Sequence, residues 1–439
     1  MAHSAPRLAK LTRPRLHAPI ARERLFRLID ELRSRPAVWI EGPPGAGKTT
    51  LVATYLDEAD PPGIWYQLDG GDSDPATFFY YLRQAAFRFS PRRKPLPLLT
   101  PEYLTDLLGF ARRFFRDLIA RIPPGAVLSF DNYHEIDPDS RLHEIFCAAV
   151  DEVPQDANFI IISRASPPAG FARAHACDKM GRVTWDQLRL TQDETRLIAR
   201  ARGDVNGDAS TYLFEQSQGW AAGVMLLLER IQRQGKVEAE TFADTPESTF
   251  DYFASQIFDP EPAETRKLLI TAAFLPRVTV ALAEAVSGNL AAGKILERLY
   301  RRRLFVDRSP GEPPAYQFHS LFRAFLQNRA AAEFGSHRVN VVKLEAARLL
   351  LENGFEEDAV TLYAETREWN GLVEIVIAAA PMLIAQGRWQ TLAVWIAHLP
   401  REVSQANPWI GYWLGRSKMQ VDPRLSRALL EEVVCSFEA

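Results

Sequence analysis

Cysteine is scarce. Three residues in 439, Cys147, Cys177 and Cys435, give neither a disulfide framework nor a metal-ligand spacing. Net charge is nearly absent as well: 52 Lys plus Arg against 55 Asp plus Glu leave −3, so no global field draws in nucleic acid or anionic lipid. Long apolar runs are also missing. The stretch 268–286 is cut by Pro276 and Arg277, and 375–385 is too short to cross a bilayer. Residues Met1 to Lys10 hold no apolar run of the signal-peptide kind. These absences exclude a membrane span and a disulfide-stapled secreted scaffold, and they point to the cytoplasm. What is present is ordinary for folded protein: hydrophobic residues are 47% and charged residues 24%. At roughly 150 residues per domain the length suggests about three domains.

The first third alternates short apolar runs with helical patterns, which predicts a parallel sheet with helical crossovers. The runs are Ala37 to Glu41, Ile64 to Leu68, Ala126 to Phe130 and Phe159 to Ser163, with a weaker one at Val183 to Leu188. Residues 20–34 read as a helix ahead of Pro36. Asp74-Pro75 is a helix start, an N-cap followed by the residue best suited to the first turn. A further helix is expected over 102–122, with Leu104, Leu107, Leu108, Ala111, Phe115, Leu118 and Ile122 on one stripe. The Pro-rich basic stretch 90–101 is a loop.

Beyond residue 190 helices take over, at Thr191 to Arg202, Ser210 to Gln232 and Thr249 to Ile257. A helix ending in Arg301-Arg302-Arg303 then precedes a hairpin, Leu304 to Arg308 and Tyr316 to His319 about a turn at Pro310-Gly311, and another helix: a winged-helix order. From about 338 only helices remain. Turn signals at Asn353-Gly354, Gln386-Gly387 and Val421-Asp422-Pro423 recur about every 33 to 35 residues, the period of stacked helical hairpins.

The segment Gly42-Pro43-Pro44-Gly45-Ala46-Gly47-Lys48-Thr49 fits G-x-x-x-x-G-K-[ST] and lies between an expected strand and an expected helix. Its glycines let backbone N–H groups converge on phosphate oxygens, and the helix start adds the positive end of its dipole. Lys48 would neutralise β- and γ-phosphates, Thr49 would offer its hydroxyl to magnesium, and Thr50 follows in the first turn. Asp131, after the run Ala126 to Phe130, is the expected second metal-associated group. Asn132 stands where a second acid would polarise the attacking water and cannot accept a proton, so turnover is expected to be slow; Glu135 is a nearby substitute. Arg164, at the end of Phe159 to Ser163, is the candidate sensor of the γ-phosphate.

An ordered series of segments resembles the signal-transduction ATPases with numerous domains (STAND), specifically the MalT-type branch of the LuxR-family transcriptional regulators. The series is Lys10-Leu11-Thr12-Arg13-Pro14-Arg15-Leu16, Arg22-Glu23-Arg24-Leu25, the phosphate loop, Trp65 to Asp69 with Asp72-Ser73-Asp74-Pro75, Asp131-Asn132-Tyr133-His134 and Ser163-Arg164. It continues through Leu188 to Thr191, Gly219-Trp220-Ala221-Ala222-Gly223, Tyr316 to His319 and Asn353-Gly354. The resemblance implies an α/β P-loop NTPase with an ASCE-type parallel sheet at 1–190, a helical lid at 191–245, a winged-helix domain at 246–335 and TPR-like helical repeats of a sensor at 336–439. It further implies that Ile20 and Arg22 border the adenine, that Gly219 to Gly223 belong to the lid, and that His319 reaches toward the phosphates of a closed form. ADP would hold that form, and ATP with a small-molecule or protein inducer would favour an open, self-associating one. Full-length relatives carry a longer repeat array and a C-terminal helix-turn-helix, neither of which appears before Ala439. Direct DNA binding by this chain is therefore not expected.

Three functional readings follow. The first is an ATP/ADP-dependent, Mg2+-using signalling switch in transcription regulation, at most a slow ATPase. The second is an enzyme of rapid ATP turnover, against which Asn132 argues. The third is a pseudo-ATPase scaffold that binds protein through its repeats.

Overall fold

The computed structural model describes residues 9–16, 19–201, 207–234, 251, 258–301, 305–309 and 314–438. They fall into two compact units, each discontinuous in sequence: the first takes 1–67, 124–134 and 153–335, the second 68–123, 135–152 and 336–439.

In the first unit α1 (Glu23–Leu32), β1 (Ala37–Glu41), α2 (Lys48–Ala59), β2 (Gly63–Gln67), β3 (Val127–Asp131), β4 (Asn158–Ser163) and β5 (Met180–Val183) build a sheet with its crossovers. The strand order is β2-β3-β4-β1-β5, all parallel. One strand, β4, therefore separates β1, which feeds the phosphate loop, from β3, which ends in Asp131. That is the ASCE arrangement expected from the resemblance. The strands read as near-continuous apolar runs because they are buried, and Val38, Ile40, Ile160 and Ile162 pack with Leu25, Ile29, Leu51 and Val52 of α1 and α2 in one core.

Two local expectations are corrected. The weak run Val183 to Leu188 is not a strand: β5 ends at Val183, and α7 (Trp185–Leu188, after the short α6, Ala172–Ala176) begins there. The reason is the capping box formed by Thr184 and Gln187, which starts a helix at once. Nor is Ser210 to Gln232 one helix. After α8 (Gln192–Ala201), α9 (Gly207–Ser217) stops and α10 (Ala221–Gln234) restarts, because Gln218 and Gly219 adopt φ of +50° and +75°. Two left-handed residues in succession end a right-handed helix.

The remainder of this unit is α11 (Ala263–Ala272), β6 (Val278–Thr279), α12 (Val280–Ser287), α13 (Ala292–Arg301), β7 (Val306–Ser309), β8 (Ala315–Phe318) and the first part of α14 (Ser320–Glu352). β6, β8 and β7 pair antiparallel into the wing. The expected hairpin turn at Pro310-Gly311, the pair Arg302-Arg303 and most of the expected helix Thr249 to Ile257 lie outside the described residues. Arg301 is paired with Glu297 at 2.8 Å, one turn earlier on the same helix.

The second unit contains α3 (Pro75–Phe87), α4 (Leu107–Ile119) and α5 (Leu142–Val150) together with the C-terminal helices. Asp74 caps α3 through the Ala76 N–H at 3.0 Å, as its sequence announces. The helix expected over 102–122 opens as a 3-10 turn, Pro101–Asp106, and becomes α-helical only once Asp106 accepts from the Gly109 N–H. Phe78 and Phe79 of α3 meet Phe110, Phe114 and Phe115 of α4 and Phe146 of α5 in an aromatic core. α14 breaks at Gly335 (φ +71°), and α15 (Glu356–Thr366), α16 (Trp369–Ala385), α17 (Trp389–Ala397), α18 (Arg401–Ala406), α19 (Pro408–Lys418) and α20 (Pro423–Glu438) follow. The turns between hairpins fall where the repeat period places them, with Gly354 and Gly387 at φ of +77° and +78°. Among the described residues no helix is long and apolar enough to cross a membrane.

Candidate nucleotide site

The phosphate loop leaves the C-terminal end of β1. Gly45 and Gly47 take φ of +73° and +80°, a region that side chains rarely tolerate, and Gly47 is the N-cap of α2. The Gly42 backbone is pressed against α7: a Cβ on Gly42 would sit 3.1 Å from a Leu188 methyl. Ala46 closes the loop by donating its N–H to the Pro43 carbonyl at 3.2 Å. Lys48, the first residue of α2, is buried, and its ammonium donates to the carbonyls of Gly42 at 2.6 Å and Pro43 at 2.9 Å. Thr50 is exposed.

Asp131 is the last residue of β3 rather than a residue beyond it. Its carboxylate accepts the Thr49 hydroxyl at 3.0 to 3.1 Å and the Asn132 N–H at 2.9 Å. The structure thus brings Lys48, Thr49 and Asp131 together. Burial works against both charges there. It holds the Lys48 ammonium down to about 8, and it pushes the Asp131 carboxyl up to about 6. A polyanion beside Lys48 and a cation beside Asp131 would each restore the disfavoured charge. The donor set fits a magnesium ion, which takes few protein ligands and completes its shell with phosphate oxygens and water. Among the described residues no cluster of three or more His, Cys, Asp or Glu side chains offers an all-protein cage.

Asn132 has φ +62°, partly buried, with its backbone N–H turned to Asp131. It contributes no proton acceptor of carboxylate strength. Glu135 is exposed and falls in the second unit. Arg164 is exposed, one residue past β4, and its charge reaches both Lys48 and His319.

His319 follows β8 of the wing. Its Nδ1 accepts the Leu321 N–H at 3.3 Å, so in the neutral ring the proton sits on Nε2, which is then a donor. Burial, and after it the charges of Lys48 and Arg164, lower its pKa to about 4. A folded pKa below the ordinary 6.5 means that the neutral ring stabilises the fold above that value, and that this contribution is lost as pH falls toward 4. We expect the His319 ring, followed by NMR, to titrate near pH 4 and to move upward in Lys48→Ala. An unshifted midpoint in that variant would show that the ammonium does not act on it.

Ile20 is partly buried just ahead of α1. Arg22 is buried, and its guanidinium is committed to the Leu188 carbonyl at 2.8 Å, the Arg189 carbonyl at 3.0 Å and the Glu194 carboxylate at 3.0 Å. It ties the segment before α1 to the start of α8.

Glu194 escaped the sequence reading, and so did the contacts that Trp220 and Ala222, within the segment expected to belong to the lid, make with the phosphate loop. Glu194 receives Arg22 and, at 2.9 Å, the Thr191 N–H, and its signal was the capping pattern Thr191-x-x-Glu194. Trp220 donates its indole N–H to the Pro44 carbonyl at 2.9 Å, and Ala222 donates its backbone N–H to the Gly45 carbonyl at 3.0 Å. The Gly219-Trp220 pair was visible as a motif, but nothing local told its target 176 residues away.

Comparison with known proteins agrees with this architecture. Residues 254–338 match the MalT winged helix domain. The chain is 28% identical over 401 residues to the HTH-type transcriptional regulator MalT of Vibrio cholerae, covering 89% of this chain and 44% of that protein. It is 27% identical over 426 residues to the protein of the same name from Vibrio parahaemolyticus, covering 93% of this chain and 46% of the relative. It therefore spans about half the length of the curated relatives it matches. Among solved structures, a STAND protein with a tetratricopeptide repeat sensor from Pyrococcus horikoshii superposes with a TM-score of 0.60 at 15% identity, over 99% of this chain and 67% of that one. At that identity the likeness is one of fold. The chain is thus similar in sequence to MalT regulators over about nine tenths of its length, and it is built as a P-loop NTPase sheet, a segment matching the MalT winged helix domain and a helical C-terminal part.

Proposed function

We propose that the chain is an ATP/ADP-governed signalling switch that acts in transcription regulation through nucleotide- and inducer-controlled self-association. The observation that carries the reading is the trio Lys48, Thr49 and Asp131, in which an ammonium and a carboxylate act on each other while burial opposes both charges, so that a metal-bound phosphate chain would favour the charged form of each. The P-loop amides and Lys48 would bind the phosphates. Thr49 and Asp131 would hold a magnesium ion, which neutralises phosphate charge when bound. Arg164, always charged and able to grip oxygens bidentately, would report whether the γ-phosphate is present. The His319 Nε2–H would reach the phosphates from the wing. In this reading 1–190 is the nucleotide-binding domain, 191–245 the lid, 246–335 the winged helix and 336–439 the start of a sensor.

Reversing a population from 1:99 to 99:1 needs about 5.5 kcal/mol of differential binding, and a hydrogen bond to a charged group contributes about 1.5 to 3 kcal/mol. Two or three contacts that depend on the γ-phosphate are enough. Asn132 favours a switch over a fast enzyme, since losing a positioned general base removes roughly 10² to 10⁴ in rate.

The test is to purify the chain, identify any retained nucleotide, and measure molar mass by light scattering with ADP and with a non-hydrolysable ATP analogue. We expect bound adenine nucleotide, a monomer with ADP and a larger species with the analogue plus inducer-containing extract. Failure to bind any adenine nucleotide rejects the switch in favour of a scaffold. Phosphate release at several turnovers per second rejects it in favour of an enzyme.

A further inference from the structure

Two hydrogen bonds join the start of α10 to the phosphate loop itself, not to anything the loop would hold. The Trp220 indole donates to the Pro44 carbonyl at 2.9 Å and the Ala222 N–H to the Gly45 carbonyl at 3.0 Å. Each peptide unit is planar and trans, so its C=O and N–H point in opposite directions. The unit carrying the Pro44 carbonyl also carries the Gly45 N–H, and the unit carrying the Gly45 carbonyl also carries the Ala46 N–H. Fixing those carbonyls on α10 fixes the direction of the Gly45 N–H, and it steadies the next plane, whose Ala46 N–H is donated to the Pro43 carbonyl within the loop.

The joint is tight on both sides. A Cβ on Gly45 would lie 2.6 Å from the Ala222 Cβ and 3.0 Å from the Trp220 indole nitrogen. One on Gly223 would lie 2.9 Å from the Trp220 ring, and one on Gly219 would lie 2.6 Å from the Leu190 carbonyl. The Gly219 carbonyl in turn accepts the Leu190 N–H at 2.8 Å. Trp220 is 6% exposed, with Gly45 and Gly223 packed closely against its indole.

We propose that Trp220 is a positioning residue of the nucleotide site: its indole N–H presets the Pro44–Gly45 peptide plane, and with it the Gly45 N–H, for phosphate, while the Ala222 N–H steadies the next plane, so that the loop grips phosphate fully only while α10 is docked. The inference rests on the nucleotide reading above and adds a direct route by which movement of the lid weakens the grip. A docked α10 slows nucleotide release; an undocked one leaves the same amides free to rotate.

The test is Trp220→Phe, which keeps an aromatic ring, removes the donor and leaves a small cavity. Three quantities are measured on wild type and variant: affinity and dissociation rate for a fluorescent ADP analogue, affinity for adenosine, and thermal unfolding without ligand. Losing one net hydrogen bond predicts ADP release about three- to tenfold faster and affinity weaker by a similar factor. Adenosine affinity should stay within error, because adenosine lacks the phosphates that the preset amide holds; the unliganded unfolding temperature reports the packing loss separately. ADP binding and release equal to wild type would overturn the proposal. An equal loss for adenosine would also overturn it, showing a packing effect on the whole site. If wild type itself binds no ADP, the nucleotide reading has failed first, a result separate from an unresponsive Trp220. Should Trp220→Phe unfold, 3-benzothienylalanine at position 220, which replaces the indole N–H with sulfur in a ring system of the same shape, is held to the same three measurements.

Discussion

Lys48→Ala abolishes nucleotide binding at ordinary concentrations and leaves the fold intact. The lysine stem is buried and its ammonium sits against the Gly42 and Pro43 carbonyls, the only charge on the loop. Two charge-assisted contacts to phosphate at about 1.5 to 3 kcal/mol each, offset by desolvation, put the loss at about 3 to 4 kcal/mol, or roughly 10² to 10³ in affinity. The fold should not suffer, and the sign of the pKa shift says why. Burial lowers Lys48 to about 8, so the folded protein disfavours the charge that the unfolded chain keeps. Below pH 8 that charge costs stability, and removing it relieves the cost. Calorimetry with ATP and ADP, beside unfolding scans of the unliganded protein, checks both halves. Unchanged ATP affinity would remove Lys48 from the site; a collapsed fold would make it a structural residue.

Much of this site could be read in the chain because its parts are local. The phosphate loop needs a strand, a glycine turn and a helix start within about a dozen residues, and 37–50 provide all three. Asp131 is legible as the acid ending a buried run, and Asp74-Pro75 as a cap, because the competing conformations lose a hydrogen bond that these residues supply. Gly354 and Gly387 mark the repeats for a similar reason: each ends a helix in a conformation that few side chains adopt. What could not be read is closure over distance. Arg22 finds Glu194 across 172 positions and Trp220 finds Pro44 across 176, and no pattern of period 2 or 3.6 encodes either meeting. The same limit explains why α3, α4 and α5, which alternate with strands in sequence, belong to a compact unit with helices more than 200 residues later. The misread run Val183 to Leu188 is of another kind. Its apolar character is real, but Thr184 and Gln187 cap a helix, and a side-chain hydrogen bond decided what hydrophobicity left open.

The basic groups of the site share one electrostatic logic. Lys48 and Arg164 both lower the pKa of His319, and Arg164 also lowers that of Lys48. Burial and these two charges hold His319 neutral at neutral pH, so Lys48 and Arg164 are the cations of this group and His319 offers a neutral Nε2–H. In the proposed nucleotide reading a phosphate chain would attract all three donors. The start of α10 touches the loop through neutral hydrogen bonds.

Within the second unit, Arg388→Met should destabilise strongly, because the guanidinium is the cation of a buried polar cluster. Arg388 is 5% exposed; its Nε donates to the Thr77 hydroxyl at 2.9 Å, and a terminal nitrogen pairs with Glu357. Thr391 and Thr77 donate to the Asp74 carboxylate at 2.7 and 3.2 Å, Tyr81 donates to Glu357 at 3.0 Å, and the guanidinium lies 5.6 and 5.8 Å from the centres of the Tyr80 and Tyr81 rings. Asp74 is buried, and burial pushes its carboxyl above the ordinary range; the nearby Arg388 charge opposes that shift. Removing one partner of such a cluster leaves a buried acid uncompensated, which typically costs about 3 to 5 kcal/mol; the partial exposure of Glu357 puts Arg388→Met toward the lower end. Methionine keeps the stem, so the loss reports charge and hydrogen bonds rather than volume. Because a protein of several domains need not unfold in one step, the measurement is local: amide hydrogen exchange in α3 and α17, which the cluster joins. Protection there should fall by at least tenfold while β1 and β4 of the first unit stay unchanged. Adding Asp74→Asn to the variant should recover part of the loss, since the acid left without its cation is then gone. Equal protection in Arg388→Met and wild type would mean that water replaces the guanidinium at little cost, and that the cluster orders the joint between α3 and α17 without stabilising it.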